Sequence, residues 1–162
     1  MRHKLVATLF SLLLVFLAAP IRAQEPAPAG HSGPQGTVDD EVDAFFAILN
    51  GADPLTVSAQ SFLAFDFDTE GAPIRSDRDV FNERMAQLSA TIESSGLSVN
   101  YSVAQKNCVE GDSVAFCSVL YSTTVDTLPE TTLHWHLTLG YQLIAGGWTL
   151  VHLHNSPGLP GE

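Results

Sequence analysis

The residues best suited to chemistry are two histidine pairs late in the chain, His134-x-His136 and His152-x-His154, which hold four of its six histidines. Residues two apart on a β-strand project to the same face, so each pair presents two imidazoles side by side. An imidazole titrates near neutral pH and can act as a general base, a hydrogen-bond donor or a metal ligand. His152 and His154 are therefore candidate catalytic residues, with a hydrogen-bonded core histidine as the alternative.

A third candidate is Asp66, in a segment where apolar and polar side chains alternate. The pattern predicts a strand over Phe62 to Asp68, with Asp66 and Asp68 on the same face as Ala64. A carboxyl group inside an apolar pocket has a raised pKa and can then serve as a base. Asp66 is the better candidate because it lies farther from the turn expected at Glu70-Gly71. The alternative is that both carboxylates face solvent.

Both histidine pairs belong to one predicted hairpin. Thr131 to Ser156 alternates β-branched, aromatic and leucine residues on both sides of Ala145-Gly146-Gly147, which predicts two long antiparallel strands joined by a glycine turn. A two-residue turn at Ala145-Gly146 places the second histidine pair on the aromatic and apolar face. A three-residue loop through Gly147 shifts the register by one and places all four histidines on one face, where they could bind a metal ion.

The first segment, Met1 to Ala23, is typical of a secretory signal peptide. It begins with basic residues, continues in an apolar run from Leu5 to Ala19 that is short for a bilayer span, and ends in a small residue that permits cleavage. We therefore expect a periplasmic or secreted protein with no membrane segment after cleavage.

Residues 24–36 are rich in proline and glycine, which predicts a disordered linker. One domain then covers residues 37–157, and residues 158–162 form a tail. The formal net charge of the whole chain is −11; without the leader, 4 basic residues face 18 acidic ones, a net charge of about −14. A surface this acidic repels phosphate backbones and anionic headgroups, so nucleic acid and membrane surfaces are poor candidate partners.

The two cysteines, Cys108 and Cys117, flank a predicted turn at residues 110–113. In an exported chain they favour a disulfide. If Asp112-Ser113 forms the turn, the cysteines face each other directly; if Gly111-Asp112 forms it, a bulge or a shift is needed. Two buried free thiols are the alternative.

Local patterns place the helices first and the strands afterwards. A capping box at Thr37 begins the first helix, Asp53-Pro54 begins a short second helix that reaches Gln60, and a capping box at Ser76 begins a long third helix that Gly96 ends. The chain from residue 97 onward alternates as strands, and Val114 to Val125 is apolar on both faces, which predicts a central strand covered on both sides. The order predicts an α+β fold in which a bent, mostly antiparallel sheet wraps the helices.

The segment Gly147 to Ser156, GWTLVHLHNS, resembles the G-W-x-x-V-H-x-H-x-S ending of SnoaL-like proteins in the nuclear-transport-factor-2-like superfamily. The association domain of calcium/calmodulin-dependent kinase closes in a similar way, and Val109 to Ala115 resembles the family's hairpin. The resemblance covers residues 37–157. It implies a conical, cystatin-like fold with a pocket at its wide end, commonly dimeric, found in ketosteroid isomerase, polyketide cyclases, dehydratases and non-catalytic binding modules.

The resemblance also implies the two-residue hairpin turn, and so a site without a metal or another cofactor. His152 and His154 would then share the concave face with aromatic residues, and the predicted ligand-pocket residues are Tyr101, Trp135, Tyr141 and Trp148. His134 and His136 would lie on the outer face, which in this family is often a dimer surface.

These observations predict an exported homodimer that binds a small, mostly apolar or neutral organic molecule. One alternative is a cofactor-free hydratase, isomerase or cyclase that uses His152 or His154 with Asp66. Another is a structural module for dimerisation or partner binding. The tyrosine and aspartate pair of ketosteroid isomerase has no clear match in this sequence, which argues against that activity.

Overall fold

The computed structural model describes residues 36–51, 53–67 and 72–158. The predicted signal peptide, the linker up to residue 35 and the tail beyond residue 158 lie outside the described residues. In chain order the elements are α1 (Val38–Leu49), β1 (Leu63–Phe67), β2 (Pro73–Asp77), α2 (Arg78–Ser95), β3 (Val99–Glu110), β4 (Val114–Val125), β5 (Leu128–Ile144) and β6 (Gly147–Pro157).

Helix α1 begins at the predicted capping box. The Thr37 hydroxyl accepts a hydrogen bond from the backbone N–H of Asp40 at 3.3 Å, and the Asp40 carboxylate accepts one from the backbone N–H of Thr37 at 2.8 Å. This reciprocal arrangement satisfies two N–H groups that a helix start otherwise leaves unpaired. The buried face of α1 includes Val42 and Phe46. The ring centroids of Phe46 and Tyr121 are 5.3 Å apart. The helix is thereby packed on the sheet.

Asn50 ties the C-terminal end of α1 to strand β3. Its side-chain amide donates to the backbone carbonyl of Tyr101 at 2.9 Å, and its side-chain carbonyl accepts from the backbone N–H of Tyr101 at 2.8 Å. Asn50 is also the C-cap residue of the helix, and its backbone N–H donates to the carbonyl of Phe46 at 3.1 Å. One side chain therefore fixes the position of the helix end relative to the sheet.

The prediction of a helix over Pro54 to Gln60 is wrong, because this segment is irregular. Leu55, Val57 and Ala59 are buried while the residues between them are exposed, as in an extended segment. The side chain of Asn82 in α2 bonds both backbone groups of Val57, at 2.8 Å and 2.9 Å. These tertiary contacts outweigh the local Asp-Pro signal for a helix start.

Helix α2 starts one residue later than predicted, because Asp77 and not Ser76 is its N-cap. The Asp77 carboxylate accepts from the backbone N–H of Val80 at 3.1 Å. Ser76 instead lies within the unpredicted strand β2, where it is buried and accepts a hydrogen bond from Arg84 Nη1 at 3.2 Å. The C-terminal end is as predicted, at Gly96.

The sheet has the strand order β2-β1-β6-β5-β4-β3, and every neighbouring pair is antiparallel except β1 with β6. The inner face packs on the helices and is marked by the buried residues Val119, Leu139 and Leu153. The opposite, outer face is marked by Phe116 and Gly140. The α+β fold class, with a mostly antiparallel sheet against the helices, is confirmed.

The register of β3 and β4 resolves the cysteine question. Cys108 lies directly opposite Cys117, with their Cα atoms 4.1 Å apart, and the two form a disulfide. This is the register expected for a turn at Asp112-Ser113. The Cys117 side chain is fully buried, so the disulfide joins the edge strand β3 to the core.

The turn between β5 and β6 has two residues, as predicted. Ala145 and Gly146 both have positive φ angles, 51° and 87°, as a tight turn between twisted strands requires. Next to the turn, Leu143 lies opposite Trp148 and Tyr141 lies opposite Leu150 on the inner face. The predicted register therefore holds for the first part of the hairpin.

A β-bulge at Val151 then shifts the pairing by one residue. Gly140 lies opposite His152, and Val151 has no partner in this register. A regular ladder from the two-residue turn would place His152 opposite Leu139, but Leu139 pairs with Leu153, so His152 lies on the outer face. The placement of His152 and His154 on the inner face is therefore wrong: the turn was correct, but an extra residue in β6 inverts every side chain beyond it.

Candidate functional site

An open cavity of about 340 Å³ lies between the C-terminal ends of both helices and the start of β3. Most of its lining residues are apolar or aromatic, while polar atoms also make up much of its exposed wall; the residues used below are Leu49, Met85, Leu88, Ile92, Val99 and Tyr101. Small-molecule sites are typically concave, mostly apolar cavities of this size. The apolar stripe of α2 recurs every three or four residues and so supplies one side of the cavity.

Three aromatic rings extend from the cavity across the inner face of the sheet. Tyr101 lines the cavity, and its ring centroid lies 6.3 Å from that of Tyr121. Tyr121 in turn stacks on Trp135, at 6.4 Å and 19° between the ring planes. The indole Nε1 of Trp135 donates to Thr123 Oγ1 at 3.0 Å, which fixes the ring at the end of the row.

A chain of polar side chains lies beside these rings. The Tyr121 hydroxyl donates a hydrogen bond to Asn155 Oδ1 at 3.1 Å, and Asn155 Nδ2 donates one to Asp66 Oδ1 at 3.5 Å. Burial raises the pKa of Tyr121, and the nearby Tyr101 and Asp66 raise it further. Tyr121 therefore stays a neutral phenol near pH 7 and serves as a hydrogen-bond donor rather than a base. Asp66 lies on the inner side of β1, as its alternation with Ala64 indicated.

The second histidine pair faces away from this cluster. His152 and His154 lie beside Phe65 on the outer face, with ring centroids 5.9 Å and 6.3 Å from the Phe65 ring. Burial lowers the pKa of His152, and the neighbouring His154 lowers it further. Because Asp66 lies on the inner side of the sheet, the predicted catalytic set of Asp66 with His152 or His154 is not assembled.

Gly140 allows His152 to lie close to the sheet. A Cβ atom at Gly140 would meet the Cβ of His152 at 2.9 Å and the ring of Phe116 at 3.2 Å. The first histidine pair lies on the same outer face, since His134 pairs with Ser122 and His136 with Leu120. All four histidines thus share one face even though the turn has two residues, because the bulge has the effect expected of a longer loop.

Of the four aromatic residues predicted to line a pocket, Tyr101 alone borders the cavity. Trp135 is the far end of the aromatic row. Tyr141 and Trp148 lie near the hairpin turn on the inner face. Burial raises the pKa of Tyr141, and the charge of Glu41 raises it further. Tyr141 pairs with Ala115, which pairs with Glu110, and the Glu110 carboxylate accepts from the backbone N–H of Val38 at 3.4 Å, so Tyr141 lies toward the start of α1. The cavity is at the other end of that helix. Aromatic residues on the inner face of the sheet therefore do not all line the same pocket.

Solved structures of low sequence identity share this architecture. A protein of unknown function from Pseudomonas putida, called NTF2-like after nuclear transport factor 2, superposes with a TM-score of 0.63 at 14% identity, over 77% of this chain and 87% of the other. The CaMKII hub homology domain of Chlamydomonas reinhardtii gives a TM-score of 0.58 at 21% identity, over 75% and 96%. This chain has the NTF2-like fold.

A third similar solved structure is a protein with a cystatin-like fold from Caulobacter vibrioides, with a TM-score of 0.57 at 17% identity over 76% of this chain and 88% of the other. At the level of sequence, no family model and no curated protein matches the chain. The NTF2-like fold is thus preserved here with little sequence similarity, as the motif resemblance predicted.

Two further properties concern the described residues of the NTF2-like domain. They contain no group of three or more histidine, cysteine, aspartate or glutamate side chains placed to hold a metal ion. Within the same ranges, no helix is long and apolar enough to cross a membrane.

Sequence reasoning missed Asn155 and Tyr121. Asn155 lies in the segment Gly147 to Ser156, and a regular ladder from the two-residue turn would place it on the outer face. In the structure it pairs with Leu137, on the inner side. The alternation gave no clear signal, because Leu150 fits one face of a regular strand while Val151 and Leu153 fit the other.

Proposed function

We propose that this NTF2-like protein binds a small, mostly apolar organic molecule in the cavity between the ends of its helices. The supporting observation is the cavity itself, of about 340 Å³, most of whose lining residues are apolar, among them Met85, Leu88 and Ile92. Burial of apolar surface supplies the affinity, and a few polar groups orient the ligand. The Asn50 amide, which is bonded to Tyr101 at the cavity wall, holds that wall in place.

A cavity-filling substitution tests this proposal. Ser89 lines the cavity and is only partly exposed, so Ser89→Trp places an indole where a ligand would lie. Ser94→Trp is the matched control, because Ser94 is an exposed residue of the same helix outside the cavity. We expect compounds from a thermal-shift library to lose about tenfold or more in affinity, roughly 1.4 kcal/mol, with Ser89→Trp and little with Ser94→Trp. A library without any hit, or equal losses in both variants, would contradict the proposal.

We further propose that the outer face of the sheet joins two copies of the chain. Within the described, paired positions of β3 to β6, no outer-face residue is Asp, Glu, Lys or Arg. The same face exposes large apolar side chains; the most exposed are Val109 at 69%, Phe116 at 56%, Val114 at 49% and Ile144 at 44%. The surface of this acidic chain opposes self-association elsewhere, so an uncharged, apolar face is the surface on which two copies can meet.

This dimer leads to a direct prediction about Phe116. Phe116→Glu adds a charge to the exposed apolar part of the outer face, and burying it in an interface without a partner charge is unfavourable. We expect sedimentation velocity to show a dimer for the wild-type chain and a monomer for the variant. Val80→Glu is the control, since Val80 is 45% exposed on α2 and not on the sheet. A monomeric wild type at high concentration would exclude this role for the outer face.

We propose, finally, that the protein acts in the periplasm or outside the cell. The basic and apolar leader and the disulfide between Cys108 and Cys117 support export. The intact mass of the protein recovered from the periplasm or the medium should lack residues 1–23. An unprocessed chain found only in the cytosol would contradict this.

A further inference from the structure

The charge around the cavity indicates the chemical class of its ligand. Among the lining residues, all of them described, the charged ones are Asp53 and Glu93, and none is Lys, Arg or His. Both acids are exposed, so they lie at the open side of the cavity, while Leu55 and Val99 are among the less exposed lining residues. The cavity thus combines an apolar interior with a negatively charged mouth.

The two helices add to the negative charge at this mouth. Ile48 and Leu49 come from the last turn of α1, and Ile92 and Glu93 come from the last turn of α2. The C-terminal end of a helix carries a partial negative charge that a basic side chain usually offsets. Neither helix has a basic residue in its last turn. Two helix ends without a basic side chain in the last turn and two carboxylates therefore border one cavity.

The aromatic wall suits the same kind of ligand. Tyr101 lines the cavity, and burial raises the pKa of its hydroxyl, so the ring remains neutral. The face of a neutral phenol ring attracts an organic cation. An anionic ligand, in contrast, would meet two like charges and two negative helix ends.

We infer that the cavity binds an amphipathic organic amine, a molecule with one ammonium group and an apolar body. The apolar body lies among Met85, Leu88 and Ile92, and the ammonium group lies at the mouth near Asp53 and Glu93. This inference rests on the proposed cavity function and adds the charge of the ligand to it. The apolar cavity itself locates the site, and the acids and helix ends determine the charge that it selects.

Three probes of the same shape test this inference: 4-phenylbutylamine, 4-phenylbutan-1-ol and 4-phenylbutanoate, which carry positive, zero and negative charge at pH 7. We expect isothermal titration calorimetry at low salt to give affinities in that order, with the amine about tenfold tighter than the alcohol. Added salt should weaken the amine and leave the alcohol unchanged, because salt screens charges at an exposed mouth. Equal affinity of amine and alcohol, or tighter binding of the carboxylate, would overturn the inference.

Variants at the mouth provide the second arm. Asp53→Asn with Glu93→Gln should reduce amine affinity about threefold to tenfold and leave alcohol affinity unchanged. Glu83→Gln is the control, because Glu83 is an exposed acid of the same helix that does not line the cavity. Equal effects of the control and the double variant would show that only net charge matters, which contradicts a local amine site.

The cavity-filling variant separates this inference from the function on which it rests. If the alcohol binds and Ser89→Trp abolishes its binding, but the amine binds no better, the cavity function stands and the cationic preference is wrong. If neither the probes nor a wider library binds, the cavity function fails as well.

Discussion

Leu153→Ala is expected to lower the free energy of unfolding by about 2–5 kcal/mol, whereas deletion of Val151 should cost no more than about 2 kcal/mol. Leu153 is buried on the inner face opposite Leu139, so alanine leaves a cavity in the core. Val151 is the unpaired residue of the bulge, and its deletion joins the two parts of β6 in one regular ladder. The native pairs, including Gly140 with His152, are kept in that ladder, so no buried side chain is turned outward.

Urea unfolding followed by tryptophan fluorescence measures both effects. Val151→Ala is the control for the deletion, because it keeps the backbone of the bulge and removes only a partly buried side chain. One glycine inserted after Gly146 lengthens an exposed turn and should also be tolerated. A deletion of Val151 as costly as Leu153→Ala, with Val151→Ala remaining mild, would contradict the pairing on the two sides of the bulge.

Loss of the disulfide is the second large effect. Replacing Cys108 and Cys117 together by alanine should lower the free energy of unfolding by roughly 2–3 kcal/mol, because the bond closes a short loop in the unfolded chain. The buried Cys117 adds a packing contribution, since alanine leaves a small void in the core.

Reduction of the wild-type protein separates the two contributions to the disulfide effect. Unfolding of the reduced chain in a phosphine reductant removes the cross-link but keeps both sulfur atoms. We expect it to show most of the loss, with the alanine variant slightly less stable still. Two titratable thiols in the purified, unreduced protein would contradict the presence of the bond.

The features predicted correctly are those set by residues close in sequence. The capping box at Thr37 depends on a residue three positions away, and the turn at Ala145-Gly146 depends on two positive φ angles that a glycine favours. The cysteines face each other across a short hairpin, so two registers were possible and the pattern included the right one. Such caps, turns and short hairpins can be predicted from sequence because few contacts with distant residues alter their geometry.

The features missed depend on contacts between distant segments. The parallel pairing of β1 with β6 places Ala64 beside Leu153 and so requires Leu153 on the inner face. Alternation within β6 cannot reveal a partner some ninety residues earlier in the chain, and Val151 fits a regular strand as well as a bulge. The candidate site was therefore predicted only in part. Asp66 and Tyr101 lie on the inner side of the sheet, as expected, but His152 and His154 lie on the outer face.

The contact of Asn50 with β3 also protects the sheet against unwanted assembly. Strand β3 lies at one end of the strand order, where an open backbone can recruit an extended segment from another chain. Asn50 occupies both the N–H and the carbonyl of Tyr101 on that edge, as the backbone of a neighbouring strand would. The end of α1 thus covers part of the β3 edge and hinders edge-to-edge association with another chain.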